Sequence, residues 1–303
     1  MHITPGIAPA NGIDIAYETM GDESDPPVLL IMGLGCQLIT WTDEFCSRIV
    51  DAGYRVIRFD NRDIGLSSKI EGARVTGNIA LRLARHELGM SSSVPYTIED
   101  MAADTLGLID HLGIDKVHVV GASMGGMITQ VFAGANPDRV LSVSILFSST
   151  NQKFLPPPNF GALLPLFKPA AKNATREQII ERSATTFATI GGKQYASPRA
   201  ERLASAAAAY DRNYYPAGLI RQLAAITGTG SLLRWTRRIT APTVVVHGTA
   251  DPLVRPSGGK AIHRAVAGSE LVLIDGMGHD LPNALLDRIT GAFVENFAKA
   301  GTT

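Results

Sequence analysis

A serine between two glycines follows an apolar run and could act as a nucleophile. Residues 117–120 are apolar apart from one histidine, and Gly121, Ser123 and Gly125 then match the pattern G-x-S-x-G. The next residues are typical of a helix start, and a strand, a sharp turn and a helix are the setting in which such a serine is nucleophilic. The glycines leave space for a strained turn, and the helix dipole points at the position of an oxyanion. A glycine-rich turn after a buried strand could have the same sequence. The motif therefore predicts a catalytic serine only if a base and an acid accompany it.

Candidate partners occur in the order that a serine nucleophile requires. A serine hydroxyl needs an adjacent base, and that base needs an acid to orient it. In strand-turn-helix serine enzymes the chain order is serine, acid, histidine, each after a strand. Asp251 follows the apolar segment that ends at Gly248, and His279 follows the apolar segment 270–274. The sequence therefore predicts a triad of Ser123, Asp251 and His279.

Other titratable residues compete for these roles. Asp275 and Asp280 are neighbours of His279 in the sequence, and we expect both to be poorly placed to reach behind its ring. His247 lies just ahead of Asp251 and is expected to pack within its loop. His118 lies within a core strand, which favours a buried, hydrogen-bonded histidine. The polar segment 60–68 is interpreted as a hydrogen-bonded loop that an arginine–aspartate pair braces.

Six predicted strands alternate with helical stretches. These apolar runs cover residues 28–32, 54–59, 117–120, 140–147, 242–248 and 270–274. Their recurrence with helices between them indicates an α/β fold with a mostly parallel, doubly wound sheet. Residues 12–20 alternate apolar and polar residues, which predicts a half-buried antiparallel strand before the parallel ones.

A helical segment interrupts this alternation. Residues 151–235 show no strand pattern and contain three helix starts, at a Thr175 capping box, at Ser197-Pro198 and at Tyr215-Pro216, the last helix closed by Gly228. We interpret the segment as a helical cap inserted into a core of residues 1–150 and 236–303. Residues 71–95 are expected to form a short helix and a loop beside the site.

The composition favours a soluble, cytoplasmic protein that acts on a small molecule. Lys+Arg and Asp+Glu both number 28 in 303 residues, so no net charge indicates nucleic acid or an anionic membrane as a partner. The N-terminus has no basic and apolar signal-peptide pattern, and no apolar run is long enough to span a bilayer. Cys36 and Cys46 form no disulfide or metal framework. The sequence makes no prediction of the oligomeric state.

The motifs together resemble the α/β-hydrolase family over nearly the whole chain. The resemblance rests on G-x-S-x-G at Ser123, on HG-x-x-D from His247 to Asp251, and on G-x-GH ending at His279. The segments 32–35, 60–67 and 276–282 are most similar to aclacinomycin methylesterase and related bacterial esterases.

The resemblance implies an oxyanion hole and a reaction that needs no cofactor. The hole would consist of the backbone N–H groups of Leu34 and Met124, and the reaction would need no metal and no organic cofactor. Many family members carry His-Gly where this chain has Met32-Gly33, so a polar anchor of that loop is missing here.

The predicted function is hydrolysis of a carboxylic ester of a bulky, largely apolar small molecule through an acyl-enzyme. The insertion contributes the aromatic residues that suggest an apolar pocket: Phe154, Phe160, Phe167, Phe187, Tyr195, Tyr210, Tyr214 and Tyr215. Similarity to methylesterases implies that the small group is the alcohol. The alternatives are hydrolysis of a lactone or macrocyclic polyketide ester, and a non-catalytic ligand receptor on the same scaffold. Ser123 argues against haloalkane dehalogenase or epoxide hydrolase activity, because those enzymes need an aspartate at the position of this serine.

Overall fold

An eight-stranded sheet forms the centre of the protein in a computed structural model that describes residues 2–75, 79–90, 92–167, 171 and 173–301. The strand order across the sheet is β1-β2-β4-β3-β5-β6-β7-β8. The strands are β1 Ile3–Ala10, β2 Ile13–Met20, β3 Pro27–Ile31, β4 Arg55–Phe59, β5 Val117–Ala122, β6 Val140–Leu146, β7 Thr243–Gly248 and β8 Glu270–Ile274.

Strands β3 to β8 are parallel to one another, which confirms the predicted mostly parallel sheet. β2 pairs antiparallel with β4 and β1, as its alternating sequence predicts. β1 itself has no counterpart among the predicted strands, since Pro5, Gly6 and Pro9 interrupt its pattern. Prolines are tolerated there because β1 pairs on one side only, with β2.

Helices cover both faces of the sheet. They are α1 Asp43–Asp51, α2 Ile79–Glu87, α3 Ile98–His111, α4 Met124–Ala135, α5 Phe160–Phe167, α6 Arg176–Ile190, α7 Arg199–Arg212, α8 Pro216–Thr229, α9 Leu233–Thr236, α10 Pro256–Ala265 and α11 Leu286–Ala298. α3 and α4 bury Leu108 and Phe132 in the cluster on one face, whereas α1 and α11 bury Phe45 and Phe293 in the cluster on the other. All parallel strands are thereby covered on both sides, as their continuous apolar runs require.

Local capping signals set several of the helix ends. A capping box at Thr97 begins α3, and the predicted box at Thr175 begins α6. Two boundaries differ from the prediction. α7 begins one residue later than expected, with Pro198 rather than Ser197 at the N-cap. α8 continues through Gly228 and ends instead at Gly230, whose φ of 74° suits glycine.

In the part of the chain that the structure describes, five helices, α5 to α9, follow one another between β6 and β7. The described elements between β6 and β7 are thus helical, as expected for the segment of residues 151–235. Its residues 168–170 and 172 and the side chain of Phe167 lie outside the described part, as do Ser91 and residues 76–78 of the predicted loop near the site. Over the described ranges, no helix combines the length and apolar character needed to cross a membrane.

Candidate active site

Ser123 lies on the turn between β5 and α4, with a φ of 56° that non-glycine residues rarely adopt. The turn is crowded on both sides. A Cβ on Gly121 would come within 2.4 Å of the Gly125 carbonyl oxygen, and a Cβ on Gly125 within 2.0 Å of the Ile31 carbonyl oxygen. The glycines of the motif are therefore required by close backbone packing, and the strained serine expected from the sequence is present.

His279 reaches the serine from the loop after β8. Its Nε2 lies 3.0 Å from Ser123 Oγ and its Nδ1 lies 2.7 Å from Asp251 Oδ2. The histidine side chain is buried against the ring of Phe147, with 4.5 Å between the ring centroids. The structure thus brings the three residues predicted from the sequence into one hydrogen-bonded chain.

Asp251 is held by the turn after β7. Its second oxygen, Oδ1, accepts the backbone N–H groups of Leu253 and Val254 at 2.8 and 2.9 Å. Burial acts to raise the pKa of this carboxyl, but the charge of His279 and the hydrogen bonds from His247 and His279 outweigh it and lower the pKa to about 2. Asp251 is therefore ionised at neutral pH and can stabilise an imidazolium.

The competing carboxylates have other partners. Asp275 accepts a hydrogen bond from Thr249 Oγ1 at 2.8 Å, and Asp280 accepts the Gly192 N–H at 3.3 Å. Burial raises the pKa of Asp280 to about 6, against the smaller lowering effects of the Gly192 hydrogen bond and of His279. Neither carboxylate is hydrogen-bonded to the ring of His279, in agreement with the expectation from the sequence.

The other histidines occupy structural positions. His247 is fully buried, and its Nε2 donates to the Val254 carbonyl at 2.7 Å, which tightens the turn that carries Asp251. His118 pairs with Ser142 Oγ at 2.8 Å, and burial lowers the pKa of His118 to about 4. Among the described residues, no group of three histidine, cysteine or carboxylate side chains is arranged to hold a metal ion.

Ion pairs with arginines brace the loop at residues 60–68. The sequence predicts a single arginine–aspartate pair, whereas the structure has several pairs that join the loop to other elements. Arg62 binds Asp104 of α3, while Asp60 and Asp63 receive Arg212 and Arg221 from the end of α7 and from α8. The inserted helices are thus joined to the loop by two buried or partly buried ion pairs. Sequence patterns could not reveal these pairs, because each joins residues more than 40 positions apart.

The two residues whose backbone groups are implied as an oxyanion hole lie next to residues that contact or precede the site: Leu34 follows Gly33, and Met124 follows Ser123. Met124 is the first residue of α4, where backbone N–H groups have no acceptor within the helix. Leu34 follows Gly33, and a Cβ on Gly33 would lie 3.0 Å from Ser123 Cβ. The loop after β3 therefore runs directly against the serine.

The aromatic residues of segment 151–235 are less enclosed than the sequence suggests. Phe154 and Phe160 are 84% and 77% exposed, and Phe187 and Tyr214 are also exposed. The remaining described aromatics of this set are half-buried: Tyr195, Tyr210 and Tyr215. Apolar side chains that approach the site more closely are Phe147, beside His279, and Leu219, which packs on Gly35.

Comparison with known proteins agrees with this architecture. Residues 26–282 match the family model described as alpha/beta hydrolase fold. The chain is similar to rhodomycin D methylesterase of Streptomyces peucetius, with 26% identity over 297 residues that cover 91% of this chain and 92% of that protein. The corresponding methylesterase of Streptomyces sp. strain C5 is 27% identical over 300 residues, with the same coverage.

Among solved structures, the enol-lactonase from Burkholderia xenovorans LB400 superposes with a TM-score of 0.71 at 22% identity, over 98% of this chain and all of that one. At this identity the similarity establishes the fold alone. The matched model spans most of the sequence, from the strand before the glycine loop to the residues just past His279. The chain therefore belongs to the α/β-hydrolase family.

Proposed function

We propose that this protein hydrolyses a carboxylic ester through an acyl-enzyme on Ser123. The observation that carries the proposal is the continuous contact from Ser123 Oγ to His279 at 3.0 Å and from His279 to Asp251 at 2.7 Å. Membership of the α/β-hydrolase family and similarity to methylesterases over 91% of the chain support a carboxylic ester hydrolase.

Each residue has a role that follows from its contacts. His279 Nε2 takes the proton of Ser123 Oγ as the oxygen attacks the ester carbonyl. The Nδ1–H of the ring donates to Asp251, which fixes the tautomer and stabilises the imidazolium that forms. His279 then protonates the leaving alcohol. A water molecule, activated by the same ring, attacks the acyl-enzyme and releases the acid with Ser123 restored.

The oxyanion hole of this proposal consists of the N–H groups of Leu34 and Met124. Two observations support this choice: Gly33, the residue before Leu34, lies against Ser123, and Met124 begins α4 directly after the serine. A single donor of this kind contributes about 3–4 kcal/mol to transition-state stabilisation in serine hydrolases. We call residues 32–38, which carry Leu34, the oxyanion loop.

Residues 151–235 are proposed to form a cap over a core of residues 1–150 and 236–303. Hydrogen bonds link the described cap residues to the edge of the sheet where the triad lies, among them His279 N–H to the Ile190 carbonyl at 2.8 Å. A pocket between such a cap and the triad would bind its ligand mainly through apolar contact. We therefore propose a bulky, largely apolar ester with a small alcohol group.

Replacing the nucleophile tests the proposal. Ser123→Ala should remove ester hydrolysis while the thermal unfolding temperature stays close to that of the wild type, since the change removes a single oxygen, which is hydrogen-bonded to His279. Activity is measured as turnover and as acyl-enzyme trapped by acid quench and detected by mass spectrometry. Hydrolysis above about a thousandth of the wild-type rate in the alanine variant would contradict a serine mechanism.

A pair of mirrored esters tests the substrate orientation. We expect a higher kcat/KM for a methyl ester of a bulky acid than for the acetyl ester of a matching bulky alcohol. The reverse preference would assign the large group to the alcohol side. Lactones measured beside these esters distinguish ring opening from open-chain hydrolysis.

A further inference from the structure

The oxyanion loop of this chain begins with Met32 and Gly33, so no polar side chain precedes its first glycine. The loop backbone is fixed at three points by other residues. Asn61 Nδ2 donates to the Met32 carbonyl at 2.8 Å, and Asp60 Oδ1 accepts the Leu38 N–H at 2.7 Å. These two contacts hold the ends of the loop.

The middle of the loop is held by a residue of the inserted helices. Gln222, on α8, accepts the Gly35 N–H through Oε1 at 2.9 Å and donates through Nε2 to the Arg62 carbonyl at 2.9 Å. The side chain is fully buried. Both ends of its amide are therefore used, and the two loops are joined through one side chain that comes from outside the core.

This contact falls on the peptide whose orientation defines the turn. The Cys36 N–H bonds the Gly33 carbonyl at 3.3 Å, which makes Leu34 and Gly35 the central residues of a β-turn. Gly35 has a φ of 70°, as glycine has at the third position of a type II turn. The Gly35 N–H belongs to the central peptide, Leu34–Gly35, and a flip of that peptide would change ψ of Leu34 and φ of Gly35 and so disrupt the turn that contains Leu34.

α8 is a firm base for this contact. Arg221 binds Asp63 through two hydrogen bonds of 2.8 and 2.7 Å, and Gly218 approaches so closely that a Cβ there would lie 2.0 Å from the Asp63 carbonyl oxygen. Leu219 packs on Gly35 one turn before the glutamine. The helix therefore presents Gln222 to the oxyanion loop from a fixed position.

We propose that Gln222 is a positioning residue for ester hydrolysis: by fixing the Leu34–Gly35 peptide it holds the β-turn, so that the Leu34 N–H, which belongs to the preceding peptide, keeps its direction towards the oxyanion. This inference rests on the proposed function and adds to it a residue outside the core. It assigns to α8 a part in transition-state stabilisation, in addition to covering the site.

Two substitutions separate this role from simple packing. Gln222→Leu has a similar volume and removes both hydrogen bonds. Gln222→Glu keeps the shape and an acceptor for Gly35; its neutral acid form can also donate to Arg62, and its ionised form cannot. The control is Asn296→Leu on α11, which removes a buried amide that donates to the Val143 and Pro242 carbonyls at 3.0 and 3.2 Å.

For Gln222→Leu we expect kcat to fall by about 10- to 100-fold with KM changed less than about threefold, because a misplaced oxyanion donor affects the transition state more than substrate binding. The affinity for a trifluoromethyl ketone, which forms a tetrahedral adduct on the serine, should fall in parallel with kcat/KM. Asn296→Leu should lower the unfolding temperature and leave kcat within about twofold of the wild type.

For Gln222→Glu the ratio of its kcat to that of the wild type should rise as the pH falls, because the neutral acid restores both hydrogen bonds. If Gln222→Leu does not fold, the pH dependence of the Gln222→Glu ratio alone tests the positioning role. A wild-type kcat for folded Gln222→Leu, or a Gln222→Glu ratio that stays near one at every pH, would overturn the positioning role. Absence of ester hydrolysis by the wild-type protein would instead overturn the proposed function.

Discussion

At the scale of single residues, His279 is held through both its ring and its backbone before a substrate arrives. Its two ring nitrogens contact Ser123 and Asp251, its ring packs on Phe147, and its backbone N–H donates to the Ile190 carbonyl. Such fixation reduces the reorganisation that proton transfer requires. The geometry therefore favours a base that is already aligned.

The acid of the proposed triad gives a first prediction. Asp251→Asn should lower kcat by roughly 10⁴, because an amide can stabilise the wrong imidazole tautomer while the fold is kept. Steady-state kinetics beside thermal unfolding measure the effect. Asp275→Asn serves as the matched control, since Asp275 contacts Thr249 and not the ring. A nearly unaffected Asp251→Asn with a severe Asp275→Asn would assign the acid to Asp275.

Asp280 gives a second prediction, on stability. Its pKa is about 6 in the folded protein against an ordinary value of 3.8, because burial outweighs the Gly192 hydrogen bond and the attraction of His279 and adds to the repulsion from Asp251. The folded state therefore binds this proton more tightly than the unfolded state between these pH values. The free energy of unfolding accordingly loses this contribution as the pH rises from about 4 to about 6, and does not regain it above pH 6.

Asp280→Asn removes that ionisation and keeps an oxygen that can accept the Gly192 N–H. We expect its unfolding free energy to equal that of the wild type near pH 4 and to exceed it by about 1–3 kcal/mol above pH 6. Urea unfolding at a series of pH values measures the difference. A difference that is constant with pH would show that Asp280 does not titrate in this range.

At the scale of elements, α8 makes several of the contacts by which the helices between β6 and β7 meet the core. It contributes Gly218, Arg221 and Gln222 to contacts with the loops after β3 and β4. Helix backbone lies directly on loop backbone at Gly218. No sequence pattern within α8 predicts this contact, because a glycine near the start of a helix by itself indicates only a lower helix propensity.

A third prediction follows from this close approach. Gly218→Ala should destabilise the protein by about 1–3 kcal/mol and lower kcat, because the added methyl group forces α8 away from the Asp63 carbonyl and takes Gln222 with it. Gly291→Ala on α11 is the matched control. No atom lies within 4 Å of a Cβ there, so the better helix propensity of alanine should stabilise the protein by up to about 1 kcal/mol. Equal effects of the two substitutions on stability would contradict tight docking of α8.

At the scale of the whole molecule, the sheet places the proposed functional residues at one edge. Ser123, Asp251 and His279 follow β5, β7 and β8, whose carboxyl ends share that edge because the strands are parallel. This much could be predicted from the sequence, since G-x-S-x-G and the strand-like runs are local signals. The catalytic roles of the three residues stay predictions.

Other features of the molecule could not be predicted, because they join distant parts of the chain. The contact of Gln222 with Gly35 spans 187 positions, and that of Arg221 with Asp63 spans 158. Neither pair has a periodicity or a motif of its own. The exposure of Phe154 and Phe160 could not be predicted either. An aromatic residue in a predicted helical segment gives no sign in the sequence of whether its side chain faces the core or the solvent.

The prolines of β1 have a consequence for how the folded protein behaves in concentrated solution. A border strand with free donors and acceptors can recruit a strand from another molecule and start aggregation. Pro5 and Pro9 supply no N–H, and their spacing of four places both on the same side of the ladder. A foreign strand could not complete a continuous set of hydrogen bonds there. Replacing both prolines with valine should speed intermolecular β-assembly, seen as faster growth of light scattering and thioflavin fluorescence, while the proposed active site, at the ends of other strands, is left unchanged.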